Sequence, residues 1–214
     1  NIDWQDLLYR NGKVINQTIG VSGGMENGNY TFGAGYYREE AVLPCQDFNR
    51  ISWRGTVDQE VGKLFKFGFT SNNNYSISNG FNLGLYDVLS STPIANPYNP
   101  DGTLKRTIRM PLDENWVKTK ETVEALGDKW IDQTRTLGTY NSAYAEIKLP
   151  YIEGLRYRIN GGLDFRYSQS GSYTGEGVFS SNPKNESSAS FSSSQSFHWV
   201  VENLLMYDKT FMDK

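Results

Sequence analysis

The sequence predicts an all-β fold: an antiparallel, up-and-down transmembrane β-barrel segment of about seven strands, with long loops at one rim and a helix in one of them. Three observations carry this. Most of the alternating apolar and polar runs are eight to thirteen residues long. A mean globular strand has only about 5–6 residues, whereas a tilted membrane strand needs about 9–11. The apolar face is rich in Tyr, Phe and Trp toward the run ends, as in an interfacial girdle. Short and long connectors alternate, which puts tight turns on one rim and elaborate loops on the other.

The elements follow in order. Residues 1–12 read as the end of a loop carrying a short helix, which Asp3 caps and Gly12 ends. Trp4, Leu7 and Leu8 form its stripe. The period then changes to two. Ile15, Ile19 and Val21 share a face, and after the turn at 24–28 so do Tyr30, Phe32, Ala34 and Tyr36. Ile51, Trp53 and Val57 oppose Arg50, Ser52 and Arg54, and beyond the turn at 59–63, Phe65, Phe67 and Phe69 oppose Lys66 and Thr70. Ala143, Ala145 and Ile147 follow, then a turn at 150–154. The clearest strand sets Leu155, Tyr157, Ile159, Leu163, Phe165 and Tyr167 against Arg156, Arg158, Asn160, Asp164 and Arg166. The last run holds Phe197, Trp199, Val201, Leu205 and Tyr207, and a final turn is expected near 208–213. The long connectors lie near 38–49, 75–138 and 168–194. The second is expected to carry a helix at about 114–133, striped by Trp116, Val123, Leu126 and Trp130. The third is Ser/Gly/Asn-rich and expected to be flexible.

Composition narrows the function. The chain has 214 residues and a formal charge of −3, which gives no general reason to bind nucleic acid. No stretch of about 18 apolar residues predicts a membrane helix. One Cys excludes an intramolecular disulfide and any Cys-based zinc site. Without a second His, His198 has no partner for a metal site or catalytic dyad and reads as a polar lumen residue. Cys45, in the loop AVLPCQDF, reads as a packed free thiol. The chain is expected to be no enzyme and to need no cofactor. With no leading Met and no signal peptide, it reads as a mature chain or a piece of one. The mean hydropathy of −0.58 looks soluble, but it is the average of a lipid-facing stripe, a polar lumen and wet loops.

The polar face must point inward, because one Arg turned to lipid at the midplane costs roughly 2–4 kcal/mol. Arg50, Arg54, Arg156, Arg158, Asp164 and Arg166 are the lumen candidates. They would steer a cargo or pair with carboxylates of a plug inside the barrel. Trp116 and Trp130 are the loop candidates, which would meet a ligand or partner or pack against neighbouring loops. Seven strands do not close an even-numbered barrel, so the rest of a larger one is expected.

Several stretches resemble SusC-like (SusC/RagA) TonB-dependent outer-membrane transporters. They are DWQDLLYRNG, INQTIGVSGGMENGNYTFGAGYYREEAVL, SAYAEIKLPYIEGLRYRINGGLDF and ENLLMYDKTF. The S-G-G-x-E turn followed by Y-x-F-x-x-G-Y is the most specific, and the long loops match poorly. The resemblance implies a plugged barrel of 22 strands in the bacterial outer membrane. It implies uptake of oligosaccharides or peptides driven by TonB through a plug that lies outside this chain. It also implies a SusD-like surface lipoprotein as a lid. This chain would supply roughly strands two to eight. Two other readings compete: a soluble carbohydrate-binding β-sandwich, which would bury the aromatic face between two sheets, and a passive porin without plug or lid.

Overall fold

A computed structural model describes residues 1–80, 83, 86, 89, 91–109 and 114–210. Seven long strands form one antiparallel meander: β1 (Lys13–Met25), β2 (Gly28–Glu40), β3 (Asp47–Val61), β4 (Phe65–Asn79), β7 (Trp130–Lys148), β8 (Leu155–Thr174) and β9 (Ser188–Tyr207). They pair in chain order, and β1 and β9 are the edges of a sheet that does not close in this chain. Between β4 and β7 lies a ribbon of β5 (Thr107–Arg109) and β6 (Glu114–Trp116). That ribbon is the only second sheet among the described residues, and it does not cover the apolar face as a sandwich would.

Register settles the faces. Ile19, Ala34, Trp53, Asn73, Thr139, Phe165 and Phe197 align in one row across the seven strands. Large apolar side chains on this face remain open, among them Ile19, Phe32, Trp53, Phe69, Trp199 and Leu205. Tyr157 and Tyr167 mark the two ends of the belt on β8. Ten residue steps span about 33 Å along the strand, or about 23 Å along the axis at a tilt near 45°. A membrane barrel's apolar band is about 25 Å tall. No helix among the described residues is long and apolar enough to cross a membrane.

The strands run further toward the loop rim than their apolar runs. β4 continues to Asn79, β7 begins at Trp130, β8 reaches Thr174 and β9 begins at Ser188. Above the belt the alternation persists between polar types, which hydropathy does not register. The connector expected over 168–194 therefore shrinks to 175–187. The helix expected over 114–133 is confined to α2 (Lys120–Glu124), followed by a 3-10 turn at Gly127–Lys129. Thr119 caps α2 in a reciprocal box with Thr122, and Gly127 at φ +48° ends the helical path, while Glu114–Trp116 and Trp130 onward are strand. At the N-terminus, α1 (Trp4–Leu8) starts where Asp3 accepts the amides of Gln5 and Asp6, and it ends at Leu8 rather than running on to Gly12. The final turn expected over 208–213 runs past residue 210, outside the described residues.

At the turn rim, Gly154 adopts φ +85°, and a Cβ there would meet the Asp208 carbonyl oxygen. At the loop rim an apolar core gathers Trp4, Leu8, Leu83, Ile108, Val117 and Val123.

Candidate functional site

The polar face of the sheet is the lumen side of a barrel wall. Its side chains fall into three tiers.

The lowest tier, next to the tight turns, neutralises itself. Glu146, 8% exposed, sits 3.5 Å from Arg156 and 3.9 Å from Arg158. Arg156 also bonds Asp208, and the Arg158 Nε donates to Asn160 Oδ1 at 2.7 Å. The Arg158 guanidinium lies 3.8 Å from the centre of the Tyr144 ring, and Tyr144 donates to Asp58 Oδ1 at 2.6 Å. That last bond crosses β4 above Gly68, where a Cβ would stand 2.2 Å from Tyr144 Cε1 and 2.6 Å from Asp58 Oδ1. Glycine here is a gap through which one strand reaches the next but one. Lys66 pairs with Glu60 at 3.8 Å.

The middle tier is open and cationic. Arg50 and Arg54 lie four residues apart on β3, and Arg166 on β8 shares the row of Ser52, Asn74 and Gly138. The Arg50 guanidinium lies 5.5 Å from the centre of the Tyr37 ring. Among the described residues no carboxylate stands within 4 Å of Arg50, Arg54 or Arg166. Asp164, facing the lumen in the row of Arg54, makes no ion pair among the described residues, and His198 stands directly opposite it on β9. A concavity of about 560 Å³ lies over β2–β4, lined by Gly33, Gly35, Arg50, Ser52, Arg54 and Asn72 among others.

The upper tier is rich in hydroxyls and carries two carboxylates, Glu39 and Asp132. Cross-strand hydroxyls meet at Thr134–Ser170 (3.0 Å), Thr136–Ser168 (3.2 Å) and Ser172–Ser190 (2.7 Å), and Ser192, Ser194 and Ser196 continue the face along β9. No metal-binding group of three His, Cys, Asp or Glu occurs among the described residues.

Above the wall the loops are tied into a cap. Phe179, at φ +54°, packs edge-on against Trp130 at 4.4 Å and Trp116 at 4.8 Å. The Lys118 ammonium approaches the same ring at 5.9 Å. Arg106 donates to the carbonyls of Gly177 and Ser180, joining the β4–β7 and β8–β9 connectors. Arg10 reaches Glu124 at 3.9 Å, and the Trp4 indole donates to the Thr92 carbonyl at 3.1 Å. Cys45 sits at φ +59° against this core; burial pushes its thiol up, helped by Glu124 and Asp47 and opposed by Arg10. The structure thus gathers Trp116 and Trp130 at Phe179, from β6 and the start of β7 rather than from one helix.

Alternation placed all six lumen candidates on the polar face, and the register sorts them into two tiers. The sequence reading missed the hydroxyl rows and one feature of the lipid face. There Ser71 donates to Asn141 (2.6 Å), Asn141 to Thr139 (2.8 Å), Thr139 to Asn73 (2.6 Å) and Asn73 to Ser71 (2.9 Å). This closed ring sits inside the apolar belt. Ser71 and Asn73 do continue the phase of Phe65, Phe67 and Phe69, a signal that a strictly apolar template discards.

A two-faced antiparallel meander with an apolar belt outside and a polar wall inside defines a segment of a transmembrane β-barrel. Comparison with known proteins narrows the class. The TonB-dependent receptor P3 of Formosa agariphila is 26% identical over 99% of this chain, and the chain spans about a fifth (21%) of its length. The RagAB peptide importer in its closed-closed state superposes with a TM-score of 0.72 at 19% identity, over 99% of this chain and 24% of that one. The RagAB peptide transporter superposes at 0.68, over 93% of this chain and 23% of that one. No protein-family model matches the chain. In sequence the chain is similar to a TonB-dependent receptor, and in fold to a stretch of the RagAB importer.

Proposed function

We propose that this chain forms part of the wall of an outer-membrane importer that takes up oligosaccharides through a plugged barrel energised by TonB. The observation that carries the reading is the zoned wall: an apolar belt on one face and, on the other, a hydrated lumen surface beneath a stapled loop cap. The loop rim faces outward and meets a SusD-like lipoprotein lid; the tight turns face the periplasm. The plug and the remaining strands come from the rest of the transporter, and lipid covers the belt. Neither an enzymatic activity nor a cofactor belongs to this function.

Cargo is assigned to oligosaccharides because the upper tier presents closely spaced hydroxyls and amides, which suit hydroxyl-rich ligands. Peptides are the competing cargo, since RagAB is a peptide importer. The test is uptake of fluorescent oligosaccharides and peptides by cells carrying the full-length protein, with and without TonB and with and without a SusD-like lipoprotein. Energised import of an oligosaccharide that needs both supports the proposal. Uptake independent of TonB points to a passive porin, and uptake of peptides alone reassigns the cargo. A full-length protein that is monodisperse in buffer without detergent would end the membrane reading.

A further inference from the structure

The middle tier of the wall holds three guanidinium groups and one carboxylate, whereas the tier below satisfies its charges internally. Once the lumen is filled, such cations lose water and need anionic partners, since an uncompensated charge in a low-dielectric site is costly. Arg50 and Arg54 are about 13 Å apart along β3, and Arg166 lies three strand spacings away, about 14 Å. Over β2 to β4 the wall around Arg50 and Arg54 is low and uncharged, while Tyr140 and Asp164 stand further along the row of Arg54. Gly33, Gly35 and Gly138 bring the backbone to the surface, and Ser52, Asn72 and Asn74 offer hydrogen bonds without charge. The glycines leave room for this shape. A Cβ on Gly33 would stand 3.2 Å from the Arg54 Nε, and one on Gly35 would stand 2.9 Å from the Ser52 Oγ. Arg54 can therefore lie flat across β2 with its N–H groups open to the concavity.

We infer that this belt is a cargo subsite for anionic groups, carboxylate or sulfate, carried on a hydroxylated oligomer. Planar guanidinium forks fit both oxyanions, and the flanking amides and hydroxyls fit the sugar between them. The cargo is then an acidic oligosaccharide rather than a neutral one. The inference rests on the import reading above and deepens it. Asp164, in the row of Arg54, sets a local limit: it repels an anion placed directly over it and so favours the β3 side of the belt.

The test uses the full-length transporter in detergent. Binding of hexagalacturonate, a sulfated hexasaccharide, maltohexaose and an acidic hexapeptide is measured for the wild type, R54Q and R50Q/R54Q/R166Q. We expect at least one acidic hexasaccharide to bind tightest. The triple variant should weaken it tenfold or more, R54Q severalfold, and maltohexaose binding should not change. Raising NaCl from about 50 to about 300 mM should weaken the wild type more than the triple variant. Equal binding of neutral and acidic hexasaccharides overturns the inference, as does wild-type affinity in the triple variant. Tightest binding of the acidic hexapeptide overturns the sugar assignment. Unchanged affinity with a lower melting temperature in the triple variant means that the arginines are neutralised by another part of the transporter. The import reading fails separately, through TonB-independent uptake.

Discussion

Truncating Phe179 to Ala should open the loop cap without touching the barrel. The ring makes two edge-on aromatic contacts, at 4.4 and 4.8 Å, and one approach to an ammonium at 5.9 Å. Each aromatic pair contributes about 0.5–1.5 kcal/mol beyond area burial, and a fully buried Phe loses about 3–5 kcal/mol on truncation to Ala. Phe179 is only half-buried, so about 2 kcal/mol is expected. At 1.4 kcal/mol per tenfold, the cap's closed-to-open ratio falls about thirtyfold. Ala is the right replacement because it keeps a Cβ on a backbone held at φ +54°, whereas Gly would also relax the backbone. The assay is native-state hydrogen exchange on the full-length protein in detergent. Protected cap amides such as Val117, which donates to Arg106, and Gly177, which donates to Asn185, should exchange about thirtyfold faster. Amides of β7 and β8 below the belt's upper edge should keep their rates. Unchanged cap exchange would show that Phe179 is not the fastener; acceleration throughout the strands would show that the cap is not an independent unit.

Three further outcomes are expected. Gly68→Ala forces Tyr144 off Asp58 and should lower the melting temperature of the solubilised protein, whereas Gly161→Ala, whose Cβ meets nothing closer than 4.0 Å, should not. The Cys45 thiol is raised chiefly by burial, so iodoacetamide should label it with a rate inflection above the usual thiol range, and an inflection at or below that range contradicts the packing. Asn141→Ala removes two bonds of the lipid-face ring and should cost about 1–3 kcal/mol in melting experiments, while replacing Ser71, Asn73, Thr139 and Asn141 together by apolar residues should cost less than that single change; a quadruple variant as damaged as the sum of the singles refutes ring closure.

Much of the fold was legible because a wall between lipid and water imposes a period of two, and Tyr157 through Tyr167 shows it without interruption. Legibility ended where both faces became wet. Ser188–Ser194 alternates only through Ala189 and Phe191, yet it pairs with Ser168–Thr174 over its whole length. The helix expected around Trp116 failed for a different reason. A stripe at helical spacing was read from Trp116, Val123, Leu126 and Trp130, but the first and last belong to strands and meet through Phe179, more than forty residues further along the chain. Such a contact has no local trace. The site was half legible: alternation gave which residues face inward, but only the fold shows that Arg156 and Arg158 share Glu146 while Arg54 and Arg166 meet no carboxylate among the described residues.

That difference in satisfaction separates structural polar groups from those held for a partner. On the lipid face an open donor has no solvent to turn to, and four polar residues there close on one another while Asn203 accepts from Tyr157. Low in the lumen, Arg156, Arg158 and Glu146 do the same among charges, so that tier holds the turn rim together whatever fills the barrel. Midway up, Arg54 has room created for it by Gly33, in a wall where glycine weakens the strand. A strand does not keep a glycine beside an unpaired guanidinium for its own stability; folding would favour a larger residue there and a carboxylate nearby. The open cations therefore report on what enters the lumen, and a ligand bringing carboxylates or sulfates supplies the charge that this stretch of wall lacks.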